Sequence, residues 1–179
     1  MRIAAPVVER LGERAVRPGY LDLDGFIVVV SQDGPVLPNG VALTGTGVWD
    51  PTLAISSPAL DPAAEERSLD AIGAEMIGRG PGLTPEGDDF VAGMAGVLAA
   101  AGRHDEVAAL IGSDLRRRTT ALSATLIELS AQGLGPEPLQ AVLAGDADAL
   151  PRLLAIGHTS GRAYARGAAA GLSVVRMGP

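Results

Sequence analysis

Residues 84–102 read TPEGDDFVAGMAGVLAAAG, and this stretch predicts a helix that packs closely against other helices. Proline directly after Thr84 is typical of a helix start, and Gly102 is typical of a helix end. The larger apolar residues between them recur at helical spacing, and they are Phe90, Met94, Val97, Leu98 and Ala101. Most other positions are Gly or Ala, whose small side chains allow a second helix to approach. The stretch therefore predicts a helical core for this part of the chain.

The sequence changes character near residue 60. Before this point β-branched runs alternate with turn signals, and the clearest case is the apolar run 26–30 followed by SQDGP. After it the apolar residues follow helical spacing. We therefore predict an α+β fold, with a small, mostly antiparallel β region over 1–60 and a larger helical region over 61–179. The two regions are expected to form one compact unit.

Start and stop signals give approximate bounds for the remaining elements of the second region. The Asp61-Pro62 pair predicts a helix start, and Gly78 predicts the end of that helix. Further helices are expected over 104–111, 113–131, 137–143 and 147–156, and from Thr159 or Ser160 to Gly171. The segment 172–177 is expected to form a final strand.

Composition and charge exclude several classes of function. The formal net charge is -7 and only 3% of the 179 residues are aromatic, which disfavours nucleic-acid binding. All 14 basic residues are Arg and there is no Cys, so Schiff-base lysine, P-loop lysine and thiolate chemistry are excluded. The sequence shows neither a signal-peptide pattern nor an apolar span of about 20 residues. We expect a cytoplasmic protein that does not bind membranes.

The segment 78–89, GRGPGLTPEGDD, is the strongest candidate for a functional site. Its glycines allow the backbone to approach a ligand, and the start of the next helix can offer N–H groups to an anion. Arg79 can bind phosphate or carboxylate, while Asp88 and Asp89 can hold Mg²⁺, orient Arg79 or accept a proton. The alternative is a rigid turn whose acidic residues complement the helix dipole.

Two further segments carry candidate ligand-binding residues. Arg116, Arg117 and Arg118 fan around a helix, so they cannot all face one ligand. They are expected to form a solvated or salt-bridged face, but Arg118 with Thr119 or Thr120 can still reach an anion if this helix packs beside the glycine-rich loop. In the segment 157–161, GHTSG, His158 is a candidate ligand contact, although a capping role for the neighbouring hydroxyl residues explains the segment equally well.

The segment from Gly78 to Gly93 resembles the signature G-x-G-P-G-L-T-P-S-G-D-D-F-x-x-G of the AllH-like family of bacterial proteins. Other segments similar to the family occur in the same order along residues 20–175: RTT with Ser123, then EPL at 137–139, then GHTSG. The sequence departs from the family pattern at Glu86, Pro136 and Ala163.

One member of that family is the AllH subunit of oxamate carbamoyltransferase. The resemblance implies a subunit of a multi-protein enzyme that interconverts oxalurate plus phosphate with oxamate plus carbamoyl phosphate, in anaerobic allantoin breakdown. Its implied partners are other carbamoyltransferase subunits, one of them similar to acyl-CoA synthetases. A homo-oligomer is the alternative assembly.

These observations combine into one lead hypothesis, in which the loop binds a small anionic metabolite or phosphate. The candidate catalytic residues are Asp88, Asp89 and His158, with Asp88 and Asp89 also the candidate ligands if Mg²⁺ binds. The candidate anion-binding residues are Arg79, Gly80, Gly82, Thr84, Arg118, Thr119, Thr159 and Ser160. Two alternatives remain open: a non-catalytic scaffold subunit, and a stand-alone, Mg²⁺-dependent hydrolase-like enzyme.

Overall fold

A computed structural model describes residues 1–11, 17–32, 37–63 and 67–177. In this part of the chain a five-stranded sheet precedes eight helices, and one further helix lies within the sheet region, which confirms the α+β fold. The strands are β1 Arg2–Ala4, β2 Gly19–Leu23, β3 Phe26–Ser31, β4 Gly40–Ala42 and β5 Gly47–Trp49. The helices are α1 Ala5–Leu11, α2 Leu69–Met76, α3 Glu86–Ala100, α4 His104–Ile111, α5 Leu115–Arg118, α6 Ala121–Ser130, α7 Glu137–Ala144, α8 Ala149–Leu154 and α9 Ser160–Met177.

The sheet is mixed, and this corrects the expected mostly antiparallel arrangement. Its strand order is β2-β3-β4-β1-β5, with β2–β3 and β1–β4 antiparallel but β3–β4 and β1–β5 parallel. The β2–β3 hairpin follows its local sequence, since Asp24 and Gly25 both have positive φ, as the favoured two-residue hairpin turn requires. The parallel β1–β5 pair arises because β1 inserts between β4 and β5, and no local turn signal reports such a long-range insertion.

Helix α3 forms the centre of the helical region and is buried from Gly87 to Ala99. Its closest neighbour is α9, and glycines allow the two backbones to touch. A Cβ on Gly93 would lie 2.1 Å from the carbonyl oxygen of Tyr164, and one on Gly167 would lie 1.9 Å from that of Phe90. The close approach predicted from the small residues of α3 is therefore confirmed.

Two expected helix bounds are wrong. Helix α2 begins at Leu69 rather than at Asp61-Pro62, because the N–H of Ala63 donates to Ala169 O at 3.0 Å and so bonds this segment to α9. The helix expected over 113–131 is broken at Thr119, whose backbone is extended (φ -142, ψ -179). Thr120 then caps α6 by accepting a hydrogen bond from the N–H of Ser123.

The final strand expected over 172–177 is also wrong, because α9 continues to Met177. Val174 and Val175 are partly buried against the core of the helical region. This packing outweighs the preference of β-branched side chains for strands.

The sheet region and the helical region have separate apolar clusters that are joined by polar contacts. The smaller cluster includes Val28, Val30 and Trp49. The indole Nε1 of Trp49 donates to Gln140 Oε1 at 3.2 Å, and Arg2 Nη1 lies 3.0 Å from Glu137 Oε2. These contacts place the sheet against α7. The proposed boundary at residue 60 stays a prediction, and none of the described helices is long and apolar enough to cross a membrane.

Candidate functional site

A cavity of about 230 Å³ lies between the sheet region and the helices. We call it the Asp89 cavity, and its lining residues are Tyr20, Val29, Leu37, Pro38, Thr84, Asp89, Leu122, Leu126, Pro136, Ile156, Gly157, Ser160, Gly161 and Tyr164. Most of these side chains are apolar, and the polar ones come from the glycine-rich loop, α3 and α9. The fold therefore brings Thr84, Asp89 and Ser160, three residues selected from the sequence, to one cavity.

The carboxyl group of Asp89 is the chemically unusual group of the cavity. Asp89 is only 4% exposed, and its Oδ2 has no hydrogen-bond partner among the described residues. Burial raises the pKa of Asp89 to about 7; a hydrogen bond with Ser160 opposes this rise, and the charges of Asp88 and Glu86 add to it. This carboxyl group can therefore hold or release a proton near neutral pH, as a general acid or base must.

Hydroxyl groups surround this carboxyl group. The hydroxyl group of Ser160 is near enough to Asp89 to lower its pKa, and its Oγ lies 3.2 Å from Thr84 Oγ1. The Tyr164 hydroxyl lies 2.5 Å from Ser130 Oγ, and burial raises the pKa of Tyr164, so this group stays protonated. The polar corner of the cavity thus offers both donors and acceptors to a ligand.

Asp88 has a different environment from Asp89. It is buried, its Oδ1 accepts a hydrogen bond of 2.6 Å from the N–H of Gly78, and its Oδ2 accepts one from the Thr119 hydroxyl. These bonds join the start of the glycine-rich loop to the junction between α5 and α6. Both carboxylate oxygens of Asp88 are therefore occupied by donors of the protein itself.

The loop also uses most of the N–H groups at the start of α3. The N–H of Gly87 donates to Arg79 O at 2.9 Å, and those of Asp88 and Asp89 donate to Pro85 O at 2.9 and 3.2 Å. Few first-turn N–H groups thus remain for an anion. The free donors of the loop lie earlier: among the described hydrogen bonds, none uses the N–H of Gly80 or Gly82.

A second concavity of about 330 Å³ lies on the loop. We call it the loop depression, and it is lined by Gly78, Gly80, Gly82, Pro85, Arg117, Arg118, Thr119 and Thr120. The guanidinium of Arg118 is partly occupied, since its Nη2 donates to the carbonyl oxygens of Gly73 and Ala74 at 2.5 and 3.1 Å. Sequence reasoning selected Arg118 but not Arg117, and both arginines line the loop depression.

Three of the candidate site residues lie elsewhere. Arg79 Nη1 pairs with Glu75 Oε1 at 2.6 Å, and its side chain is 63% exposed. His158 and Thr159 are exposed and line neither concavity. Sequence reasoning also missed Tyr164, the buried aromatic of a helix otherwise rich in Ala and Gly.

In the described part of the chain, no three His, Asp or Glu side chains form a group that could hold a metal ion. The proposed Mg²⁺ ligands, Asp88 and Asp89, also differ in availability. Both oxygens of Asp88 accept protein hydrogen bonds, whereas Asp89 has one free oxygen.

The fold and the site thus define an α+β protein in which a buried carboxyl group faces a small apolar cavity beside a glycine-rich loop. A family model described as oxamate carbamoyltransferase subunit AllH matches residues 76–172, more than half of the chain, and the chain belongs to this AllH family. The matched part includes the loop, α3 and the first two thirds of α9. The family resemblance predicted from the loop motif is confirmed. No solved structure matches the chain.

Proposed function

We propose that the chain is a cytoplasmic subunit of an oxamate carbamoyltransferase complex and binds a small anionic substrate or phosphate at its glycine-rich loop. The observation that carries the proposal is the AllH match over residues 76–172, which contains the loop and every residue of the loop depression. The partners are then other carbamoyltransferase subunits.

The loop depression supports an anion as the ligand. The free N–H groups of Gly80 and Gly82 line it, and glycine leaves this backbone open to a ligand. Arg117 lines it as well and makes no ion pair with the described residues. Arginine and backbone N–H groups together form strong, charge-assisted hydrogen bonds to phosphate and carboxylate. Transfer of a carbamoyl group from carbamoyl phosphate needs such donors more than it needs a protein nucleophile.

Capture of partners tests the first part of the proposal. The tagged full chain is purified from its native lysate, and the proteins that accompany it are identified by mass spectrometry. We expect carbamoyltransferase-type subunits, and the recovered complex should convert oxamate and carbamoyl phosphate. A chain recovered as a monomer or homo-oligomer, without partners or activity, contradicts the proposal.

Calorimetric titration with phosphate, oxamate and carbamoyl phosphate tests the second part. Arg117→Ala should weaken binding by about tenfold or more, because a charge-assisted hydrogen bond is lost. Arg162→Ala removes an exposed arginine of α9 and should leave binding unchanged. The same titration of Arg79→Ala tests whether the guanidinium of Arg79 leaves Glu75 and contacts the anion. Equal binding by the Arg117 and Arg162 variants would mean that the anion does not bind in the loop depression.

A further inference from the structure

We propose that the Asp89 cavity is a second ligand site, which binds an uncharged primary amide through Asp89 Oδ2 and the hydroxyl groups of Ser160 and Thr84. This site goes beyond the anion site proposed for the loop, and it does not depend on that site. The two concavities share the loop but have no lining residue in common.

The unpaired oxygen of Asp89 is the first argument. A buried polar atom without a hydrogen bond is destabilising, so native proteins satisfy nearly all such atoms. Oδ2 of Asp89 is one of two unpaired buried side-chain atoms among the described residues, and Asp89 lines a cavity. Oδ2 itself is buried, so the carboxyl group turns toward the cavity when a ligand there supplies the missing hydrogen bond.

The charge of the surroundings indicates an uncharged ligand. None of the described residues that line the cavity is positively charged, so a carboxylate or phosphate would be buried without a counter-ion. The carboxylates nearest to Asp89 already have partners of their own: Glu86 pairs with Arg166 at 3.1 Å, and Asp88 accepts two hydrogen bonds. An ammonium group in this apolar cavity would therefore lose its hydration, and it could pair only with the carboxyl group of Asp89.

The hydrogen-bond directions fit a primary amide. One arrangement satisfies the three protein groups: Thr84 donates to Ser160, Ser160 donates to Asp89, and the other Asp89 oxygen carries the proton that the raised pKa favours. This leaves one O–H donor on Asp89 Oδ2 and one acceptor on Thr84 Oγ1. A primary amide offers the complementary pair, since its carbonyl oxygen accepts and its NH₂ group donates.

The size of the cavity limits the rest of the ligand. At about 230 Å³ it is smaller than the roughly 300–1,000 Å³ of drug-sized pockets, so a small metabolite fits. The opposite walls are apolar and include Val29, Leu122 and Leu126. The expected ligand carries a short aliphatic group beside its amide.

Methyl NMR on the full chain tests the proposal with isobutyramide as the probe. We expect saturable shifts in the methyl signals of Val29, Leu122 and Leu126, while those of the buried but distant Val107 and Leu110 stay unchanged. Isobutyrate and isobutylamine have the same carbon skeleton with a negative or a positive charge, and both should bind at least about tenfold more weakly. Scattered shifts, no shifts, or equal binding of either charged analogue would overturn the proposal.

Two variants locate the amide within the cavity. Thr84→Val keeps the shape of the side chain but removes its oxygen, and Asp89→Leu removes the carboxyl group. Each should weaken isobutyramide binding by about three- to tenfold, the effect of one lost hydrogen bond. The control Asp105→Asn changes an exposed carboxyl group of α4 and should leave binding unchanged. Since phosphate titration and partner capture do not use this cavity, failure here is distinguishable from failure of the proposed function.

Discussion

At the scale of single residues, the two adjacent aspartates of α3 show how one helical turn creates two environments. Consecutive residues point about 100° apart on a helix, so Asp88 faces the α5–α6 junction whereas Asp89 faces the cavity. Asp88 gains a donor for each oxygen, and Asp89 keeps one oxygen unpaired. The first residue is placed to hold the loop, and the second is placed to meet a ligand.

The raised pKa of Asp89 predicts a stability difference that depends on pH. The folded state binds more protons than the unfolded state between the usual aspartate pKa of 3.8 and about 7, so wild-type stability falls as pH rises through this interval. Asp89→Asn does not titrate and avoids this loss. By urea denaturation the variant should be more stable than wild type at pH 7.5, by up to about 4 kcal/mol, and the advantage should shrink at pH 4.5.

The variant Asp105→Asn is the matched control for this experiment, since it replaces an exposed aspartate. Its stability relative to wild type should not change between the two pH values. An advantage of the Asp89 variant that is the same at both pH values would mean that Asp89 is ionised throughout.

Thr119 is expected to stabilise the charge of Asp88. Its hydroxyl donates to Asp88 Oδ2, and Thr119→Val removes this donor while keeping the shape of the side chain. Loss of a hydrogen bond to a buried carboxylate should cost about 2 kcal/mol of unfolding free energy. Hydrogen exchange at the N–H of Gly78 should accelerate as well, because Asp88 holds that group. Thr46→Val, at an exposed position, should change neither quantity.

At the scale of elements, the contact between α3 and α9 predicts a graded response to added methyl groups. Gly167→Ala would place its Cβ 1.9 Å from the carbonyl oxygen of Phe90, which belongs to the backbone and cannot move alone. We expect a loss of about 3 kcal/mol or more in a urea unfolding experiment. Gly171→Ala would place its Cβ 3.0 Å from Val97 Cβ and 3.1 Å from the carbonyl oxygen of Met94, so a much smaller shift suffices, and the gain in helix propensity should limit its cost to about 1 kcal/mol. Equal costs would mean that the two backbones separate easily.

The sequence allowed most of the helices, but few of the long-range contacts, to be predicted. Two local signals were reliable. The proline after Thr84 predicted the start of a helix, and the glycine spacing in α3 predicted its close packing. The run 172–177 misled because its valines favour strands in isolation, whereas their packing against the core of the helical region decides the outcome. The sheet order depends on where β1 inserts, and no short segment records that.

The candidate site also contains some residues that could be predicted from the sequence and others that could not. Thr84, Asp89 and Ser160 could be selected because each lies in an unusual local segment. The apolar walls of the cavity could not, since Val29 and Leu126 look like ordinary core residues until the sheet meets α6. The pairing of Arg79 with Glu75 could not be predicted either, although the two residues are close in sequence. An exposed arginine has several possible partners.

At the scale of the whole molecule, Gln140 connects the sheet region to the helical region. Its Oε1 accepts from the Trp49 indole, and its Nε2 donates to the carbonyl oxygens of Asp50 and Thr52 at 3.1 and 2.8 Å. Trp49 is the only tryptophan of the chain, so its fluorescence reports on the sheet region, whereas far-UV circular dichroism reports mainly on the helices. The two regions can therefore be followed separately during unfolding.

If the chain is one cooperative unit, both signals of the wild type change at the same urea concentration. Gln140→Ala should lower stability by about 1–3 kcal/mol, because three partners lose their hydrogen bonds, and the fluorescence change should then precede the loss of helix. Gln132→Ala removes a side chain that donates to the carbonyl oxygen of Glu128 in α6, and this variant should keep the two transitions together. Separate transitions in the wild type would support two independent units divided near residue 60.

The order of the elements along the chain has a consequence for synthesis on the ribosome. Helix α3 is apolar on nearly every side, and the helix that covers most of one side, α9, is made some 60 residues later. During that interval the nascent chain exposes an apolar segment to water. Chaperones bind such segments, and slow translation of residues 101–160 would lengthen the exposure. Yield in the cell should therefore depend on translation speed and chaperone supply more than on the stability of the finished protein.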